Sequence, residues 1–331
     1  MSSSTFIIIF FLNILIIREL DPFQYGIIVL ALSIIDILLV FFSFSLNLSV
    51  IKFQEQGKIF YDHLVLFSWI LFLITSVLIN LLSFFILPYF GIDDDVIIYI
   101  LIMLPFSALA IPTSVYNAAL NRDFFFFKST LYNSIPLIIG NIFALIMIYK
   151  DVGIISLLFR HVIVSLIIFF LVFDYKFLIL RKIEKFIFFK IFNFNIKLLF
   201  NRISEVFLSK IPIVLISNSF GLRNVSIYER SLFLNDIINR FLSPLYNQIN
   251  FAYFGKFNKN AIYLESILYI TYLISIYSSL LVVSIYSCFS NEIILFLFGE
   301  NWSELANIIV WLKFYLVGTI IIAPITYLLI S

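Results

Sequence analysis

Charge is scarce in this chain: Asp, Glu, Lys and Arg make up 12% of 331 residues, against about 25% in an ordinary soluble protein. So few charges cannot wet the surface of a soluble globule, which excludes that class. Cysteine is nearly absent, and Cys288, standing alone, allows neither an intramolecular disulfide nor a cysteine-rich metal site. Two histidines, His63 and His161, are too few for a zinc or haem centre, so no cofactor is expected. A net charge of +2 carries no signature of nucleic acid. Also missing are HExxH, GxSxG, a P-loop with its Lys and Ser/Thr, and any ATPase module. No enzyme constellation is visible, so the protein reads as a non-enzyme.

What is there is apolar. The chain is 63% hydrophobic and holds 42 phenylalanines, a composition that suits lipid as solvent. A bilayer-crossing helix needs about 20 mainly apolar residues. Blocks of this kind lie near 4–17, 25–51, 63–88, 96–120, 131–149, 152–173, 198–220, 225–252, 262–290 and 305–330. The expected fold is therefore all-α, a polytopic membrane protein of about ten transmembrane helices. Strands are excluded because runs such as "FIIIFFLNILII" are apolar on both parities. The first run lacks a basic flank and a small-residue cleavage site, so it reads as a span and not a removable signal peptide. Seven glycines (Gly26, Gly57, Gly91, Gly153, Gly221, Gly255 and Gly299) are placed in or beside the breaks. Pro105, Pro112, Pro136, Pro212, Pro244 and Pro324 fall inside spans, either as ordinary intramembrane prolines or as kinks beside a cavity.

Basic residues set the orientation. With the N-terminus in the cytoplasm, the even-numbered connections carry twelve Lys and Arg, from Lys52 to Lys259; the odd-numbered ones carry only Arg18, Lys150 and Arg223. The stretch 174–197, rich in Lys and Phe, reads as an amphipathic linker on the cytoplasmic leaflet. It separates a six-helix bundle, 1–173, from a four-helix bundle, 198–331.

Ionisable groups within spans face a partner or a cavity. Asp36, Arg160 and His161 occur in the first bundle, and a denser set in the second: Arg202, Glu205, Lys210, Glu229, Arg230, Asp236, Arg240 and Lys313. Glu229, Asp236, Arg240 and Asn247 recur at spacings of seven, four and seven, which shares one helical face. Either these groups neutralise one another or they line a polar pathway. Surplus guanidinium and ammonium groups suit an anionic head group. Arg160, Lys210, Arg230 and Arg240 are the candidates to hold it. Asp36, Glu229 and Asp236 are candidates for ion pairing or for coupling to a proton or sodium gradient.

Five stretches together resemble the polysaccharide (O-antigen and capsule repeat-unit) flippases of the multidrug/oligosaccharidyl-lipid/polysaccharide exporter superfamily. Arg18, Leu20, Pro22, Tyr25 and Gly26 match their R-x-L-x-P-x-x-Y/F-G after helix one. "SLNLSVIKF" (45–53) resembles the end of their second helix, with Asn47 and its neighbours where glycine is usual. "LNRDFFFFK" (120–128) resembles a cytoplasmic turn, and "FGLRNVSIYERS" (220–231) the segment after helix seven, with Val225 or Ser226 replacing a glycine. "LFGENWSELANIIVWL" (297–312) resembles their F-G-x-x-W-x-x-A.

The resemblance implies two six-helix bundles about a central cavity, alternating access, and flipping of undecaprenyl-diphosphate-linked repeat units across the bacterial cytoplasmic membrane. Implied partners are the lipid-linked oligosaccharide, membrane lipids, and a polysaccharide polymerase with glycosyltransferases. The chain ends after the tenth helix, so the second bundle is expected to lack its last two. The alternatives are a multidrug exporter of the same superfamily, with a net negative lumen, and an inactive shortened member. A sugar polymerase or ligase fits less well, because no external connection exceeds about fifteen residues, an ordinary linker length.

Overall fold

The computed structural model describes residues 3–53, 57–172, 185–257 and 261–330. Among them are helices only, in ten passes that correspond to the ten apolar blocks. In chain order these are α1 (Ser3–Arg18), α2 (Pro22–Ser43) continued by α3 (Leu46–Lys52), and α4 (Gly57–Ile74) continued by α5 (Asn80–Ile86). Next come α6 (Asp94–Ala108) continued by α7 (Ala110–Arg122), then α8 (Phe126–Ile148) and α9 (Ile155–Val172). The last four are α10 (Lys185–Phe220), α11 (Leu222–Phe257), α12 (Ala261–Phe298) and α13 (Leu305–Ile330).

These helices show apolar side chains outward, as lipid requires. Leu73, Val77, Leu81 and Phe84 form a ridge at spacings of four, four and three, each more than half exposed. The polar groups point inward and join helices. Ser107 Oγ meets His161 Nε2 at 2.7 Å between α6 and α9, and Asn117 donates to Asn133 at 3.2 Å between α7 and α8. Such bonds take the place of the hydrophobic effect, which cannot hold helices together in lipid.

Helix starts and breaks follow local chemistry. At the α1–α2 connection the Asp21 carboxylate accepts from Phe23 N at 2.9 Å and Pro22 occupies the first helical position, a standard N-terminus. Leu20 and Tyr25, at the positions of a hydrophobic staple, are both buried. Gly26 lies beside the break, in the second turn of α2. Gly255 likewise sits inside α11. Gly57, Gly91, Gly153, Gly221 and Gly299 do adopt positive φ at helix ends, as breaks demand. Between α4 and α5 a π turn spans Thr75–Ile79, and Thr75 Oγ1 bonds the carbonyls of Leu71 and Phe72 at 2.8 and 2.9 Å.

Two connections use bulky residues where glycine would be unstrained. Phe44 (φ 47°) and Ser45 (φ 45°) take left-handed backbone between α2 and α3. Phe124 (φ 61°) does so after α7. There Phe125 N bonds Leu120 O at 2.8 Å and Phe124 N bonds Asn121 O at 3.2 Å, the two bonds of a Schellman cap. Each non-glycine residue held this way costs about 1–2 kcal/mol. Ser45→Gly is accordingly expected to raise thermal stability in detergent by about 1 kcal/mol, read as an upward shift in melting temperature.

The chain forms two compact units, Met1–Val225 and Ser226–Ser331. The boundary therefore falls at 225/226, and α10, read from sequence as the first helix of the second bundle, groups with the first six passes. It packs along α2 and also touches α3 and α4. Residues 185–197 of the expected linker are helical and form the first part of α10, a single helix of 36 residues. Ile191 and Asn195 are buried there, and Asn195 donates to Ser49 Oγ at 2.7 Å. Phe188 and Phe192 meet Phe67 and Phe44 at ring distances of 5.0 and 5.8 Å. One face of this basic, aromatic stretch thus packs on protein, while Phe186 and Phe189 on the other side stay exposed. The remainder of the expected linker, 174–184, lies outside the described residues.

In the second unit α12 and α13 run side by side, with Lys313 Nζ donating to Ser287 Oγ at 2.7 Å. The "FGENW" turn between them buries Phe298, Trp302 and Ala306, and the two rings meet at 6.1 Å. This gives the late motif a packing role.

Candidate functional site

Within the first unit a cavity of about 770 Å³ opens between α2, α3, α7 and α10. That size falls in the usual range of ligand sites, about 300–1,000 Å³. Two of the three interrupted passes border it. The α2–α3 break places Ser43, Ser45 and Asn47 on its wall, and the α6–α7 break contributes Ala110, Ile111 and Ser114. Irregular backbone within a membrane is stable only where it is buried in protein or lines a wet cavity. At the second break Pro112 has no N–H to continue the helix, and Thr113 Oγ1 caps the Leu109 carbonyl at 2.9 Å. The cavity-side reading of the intramembrane prolines is the one this geometry supports for Pro112.

Four ionisable side chains line the cavity. Lys210 Nζ on α10 stands 2.9 Å from Asp36 Oδ2 on α2, and Arg202 Nη1 stands 2.9 Å from Glu205 Oε2, both on α10. Lys210 is 30% exposed and Asp36 47%, so water or a solute reaches both partners. The lining thus holds two cations and two anions, with hydroxyls and amides around them. Arg202, Glu205 and Ser209 recur at spacings of three and four, which turns them to the same wall. Such a surface exchanges ion-pair partners readily, and an anionic group with several acceptor oxygens can take over both cations.

Two sequence candidates, Lys210 and Asp36, meet here across 174 residues of chain. The other candidates are elsewhere and are not among the lining residues. Arg160 is half-buried on α9, its stem packed beside Gly140 of α8. Glu229, Arg230, Asp236 and Arg240 belong to α11 in the second unit. Arg230 is nearly buried; its Nε donates to the neighbouring Glu229 Oε2 at 2.6 Å, and its guanidinium lies 4.5 Å from the centre of the Phe233 ring. This arrangement matches mutual neutralisation more than an open cationic wall. Asp236 and Arg240 are exposed, one turn apart on the same helix. The side chain of Asn247 lies outside the described set.

Sequence reasoning did not single out Ser45, Asn47, Ser114 and Asn201. They carry no charge, and polar residues of this kind also serve as interhelical glue, so only the structure brings them to notice. Among the described residues no three His, Cys, Asp or Glu side chains converge as a metal site requires.

A family model described as polysaccharide biosynthesis protein matches residues 15–307 of the chain. No curated protein matches it in sequence. Among solved structures, a multidrug resistance MATE family transporter of the MOP superfamily, captured inward-facing, is similar over 99% of this chain and 82% of its own. The TM-score is 0.65 at 13% identity, so the likeness is one of fold.

Proposed function

Because the chain belongs to the polysaccharide biosynthesis protein family and has the fold of a MATE-type transporter, we propose that this multi-pass membrane protein is a flippase for lipid-linked oligosaccharides. Its substrate on this reading is an undecaprenyl-diphosphate repeat unit, moved from the cytoplasmic to the outer leaflet of a bacterial cytoplasmic membrane, with the N-terminus inside. Glycosyltransferases would supply the substrate and a polymerase would consume it. The protein makes and breaks no covalent bond.

The observation that carries this reading is the Lys210–Asp36 pair in a cavity walled by two broken helices. A diphosphate entering the cavity competes with Asp36 for Lys210 and with Glu205 for Arg202, because charge-assisted bonds to phosphate are short and strong. Once displaced, the Asp36 carboxylate lacks its cation and takes up a proton or a sodium ion in compensation. Head-group binding and ion binding are thereby linked through one carboxylate. Release of the head group restores the pair. Outward reorientation by alternating access completes the cycle.

Reconstitution tests the substrate class. Proteoliposomes are expected to move a fluorescent undecaprenyl-diphosphate trisaccharide between leaflets, measured by quenching with an impermeant reductant. Transport of a cationic dye without movement of the lipid would instead assign the protein to multidrug export. No movement of either would support an inactive member.

A further inference from the structure

We propose that the turn joining α7 to α8 is a bilayer anchor, which seats four phenylalanine rings in the interfacial zone of an anionic leaflet. The proposal is independent of what the protein transports. Phe124, Phe125, Phe126 and Phe127 are 80%, 58%, 55% and 77% exposed, so the protein leaves more than half of each uncovered. Four consecutive aromatic rings facing water would be an aggregation hazard. Their place in the chain supplies the covering instead.

The apolar spans on either side end at Arg122 and begin again at Phe126. Three residues of turn cannot carry the rings beyond the head-group layer, which is several ångströms thick. Aromatic side chains concentrate at that depth in membrane proteins. Charge completes the fit. Arg122 and Lys128 bracket the four rings, and the carboxylate of Asp123 is held by Arg122 through contacts of 2.7 and 3.1 Å. The Arg122 guanidinium also lies 5.4 Å from the Tyr61 ring centre, and Lys128 Nζ lies 5.4 Å from that of Tyr132. A hydrogen bond from Arg122 lowers the Asp123 pKa, so the turn presents no protonated acid and no free anion to repel phosphate.

Backbone geometry points the same way. Phe124 occupies the left-handed position of the Schellman cap, where glycine would be free of strain. A phenylalanine retained there, with its ring 5.9 Å from that of Phe126, fixes the direction in which the cluster projects. Strain maintained at an exposed position argues for use of that side chain.

Cys288 is the only cysteine, so Cys288→Ser gives a clean background for spin labels. Labels at Phe125→Cys and, separately, Phe127→Cys would be examined in vesicles of phosphatidylglycerol and phosphatidylethanolamine. A label at Asp151→Cys, in the exposed α8–α9 connection, serves as the aqueous reference. Oxygen is expected to relax the Phe125 and Phe127 labels several-fold more than a nickel chelate does, with the ratio reversed at Asp151. Replacing phosphatidylglycerol by phosphatidylcholine is expected to move both labels outward. Phe124→Gly is expected to raise melting temperature in detergent while shrinking the extra stabilisation from added phosphatidylglycerol. Nickel access equal to that at Asp151 would overturn the anchor. Shielding from both relaxants would overturn it too, since it would mean that protein covers the patch. Equal depth in both lipids would overturn the anionic preference.

Discussion

Gly26→Ala is expected to destabilise the protein by about 3 kcal/mol or more, at or above the usual range for overpacking. A methyl group at Gly26 would run into the carbonyl oxygen of Leu222 and stand 2.7 Å from its carbonyl carbon. These atoms are backbone, at the start of α11 just after Gly221, so no side-chain rotation relieves the clash. Either α2 moves or the first turn of α11 does. Stabilities of 5–15 kcal/mol are typical of whole domains, so the loss takes a large share of the total. The measurement is thermal unfolding in detergent together with the yield of monodisperse protein.

Two other glycines calibrate the expectation. Gly318→Ala meets nothing within 4 Å and should be neutral or gain about 0.5–1 kcal/mol from helix propensity. Gly140→Ala meets Val164 Cγ2, a methyl that can turn away, and should fall between the two. A Gly26→Ala protein that melts with the wild type would show that α2 does not approach Leu222 as closely as described. Asp21 and Pro22 begin α2, whereas Gly26 is small so that two backbones can touch.

Lys210→Ala is expected to reduce surface polysaccharide at least tenfold in a strain that depends on this gene. One charge-assisted bond to a phosphate contributes about 1.5–3 kcal/mol, which corresponds to roughly 10- to 100-fold in affinity. Loss of Lys210 also leaves Asp36 in the cavity without the cation that stood 2.9 Å away. Charge reversal separates the two effects. Asp36→Lys combined with Lys210→Asp re-forms a pair between α2 and α10, so expression and melting temperature should recover. Transport should not recover fully, because the ammonium group now projects from the opposite wall. Full recovery would show that the pair is a structural tie and that the head group binds elsewhere.

Asp36→Asn divides the roles further. The amide keeps the shape of the side chain but cannot take up a proton or hold the Lys210 charge. Transport in vesicles is expected to persist down a substrate gradient and to lose its response to an imposed ion gradient. A response equal to that of the wild type would remove Asp36 from coupling. Arg230 offers the contrast in the second unit. Its guanidinium is already engaged by Glu229 and Phe233, so alanine there should lower stability before it lowers substrate affinity.

Much of the architecture is a local property of the chain. Hydropathy over about 20 residues identifies a span without reference to any partner, because lipid asks the same of every helix. The ten passes, the absence of strands among the described residues and the connections at Gly91, Gly153, Gly221 and Gly299 follow from this. The Asp21–Pro22 helix start is legible for the same reason: its hydrogen bond closes within three residues. The family is legible from short motifs, several of which are packing anchors such as Phe298 and Trp302.

The site was only half visible. Charges within apolar blocks stand out one by one, so Asp36 and Lys210 could be named as candidates. Their meeting depends on how α2 and α10 pack, and nothing near either residue encodes it. The same packing, through Phe188, Phe192 and Asn195, assigns α10 to the first unit and buries one face of residues 185–197 against it. Gly26 shows the limit most clearly. Composition marks it as a flexible residue near a break, but its place within α2 and its approach to Leu222 exist only in the folded chain. Membrane residence, helical class and segment order were settled by the sequence, because each rests on solvation and local hydrogen bonding. The cavity, its ion pairs and the close backbone contact were decided by tertiary structure, because each joins residues far apart in the chain.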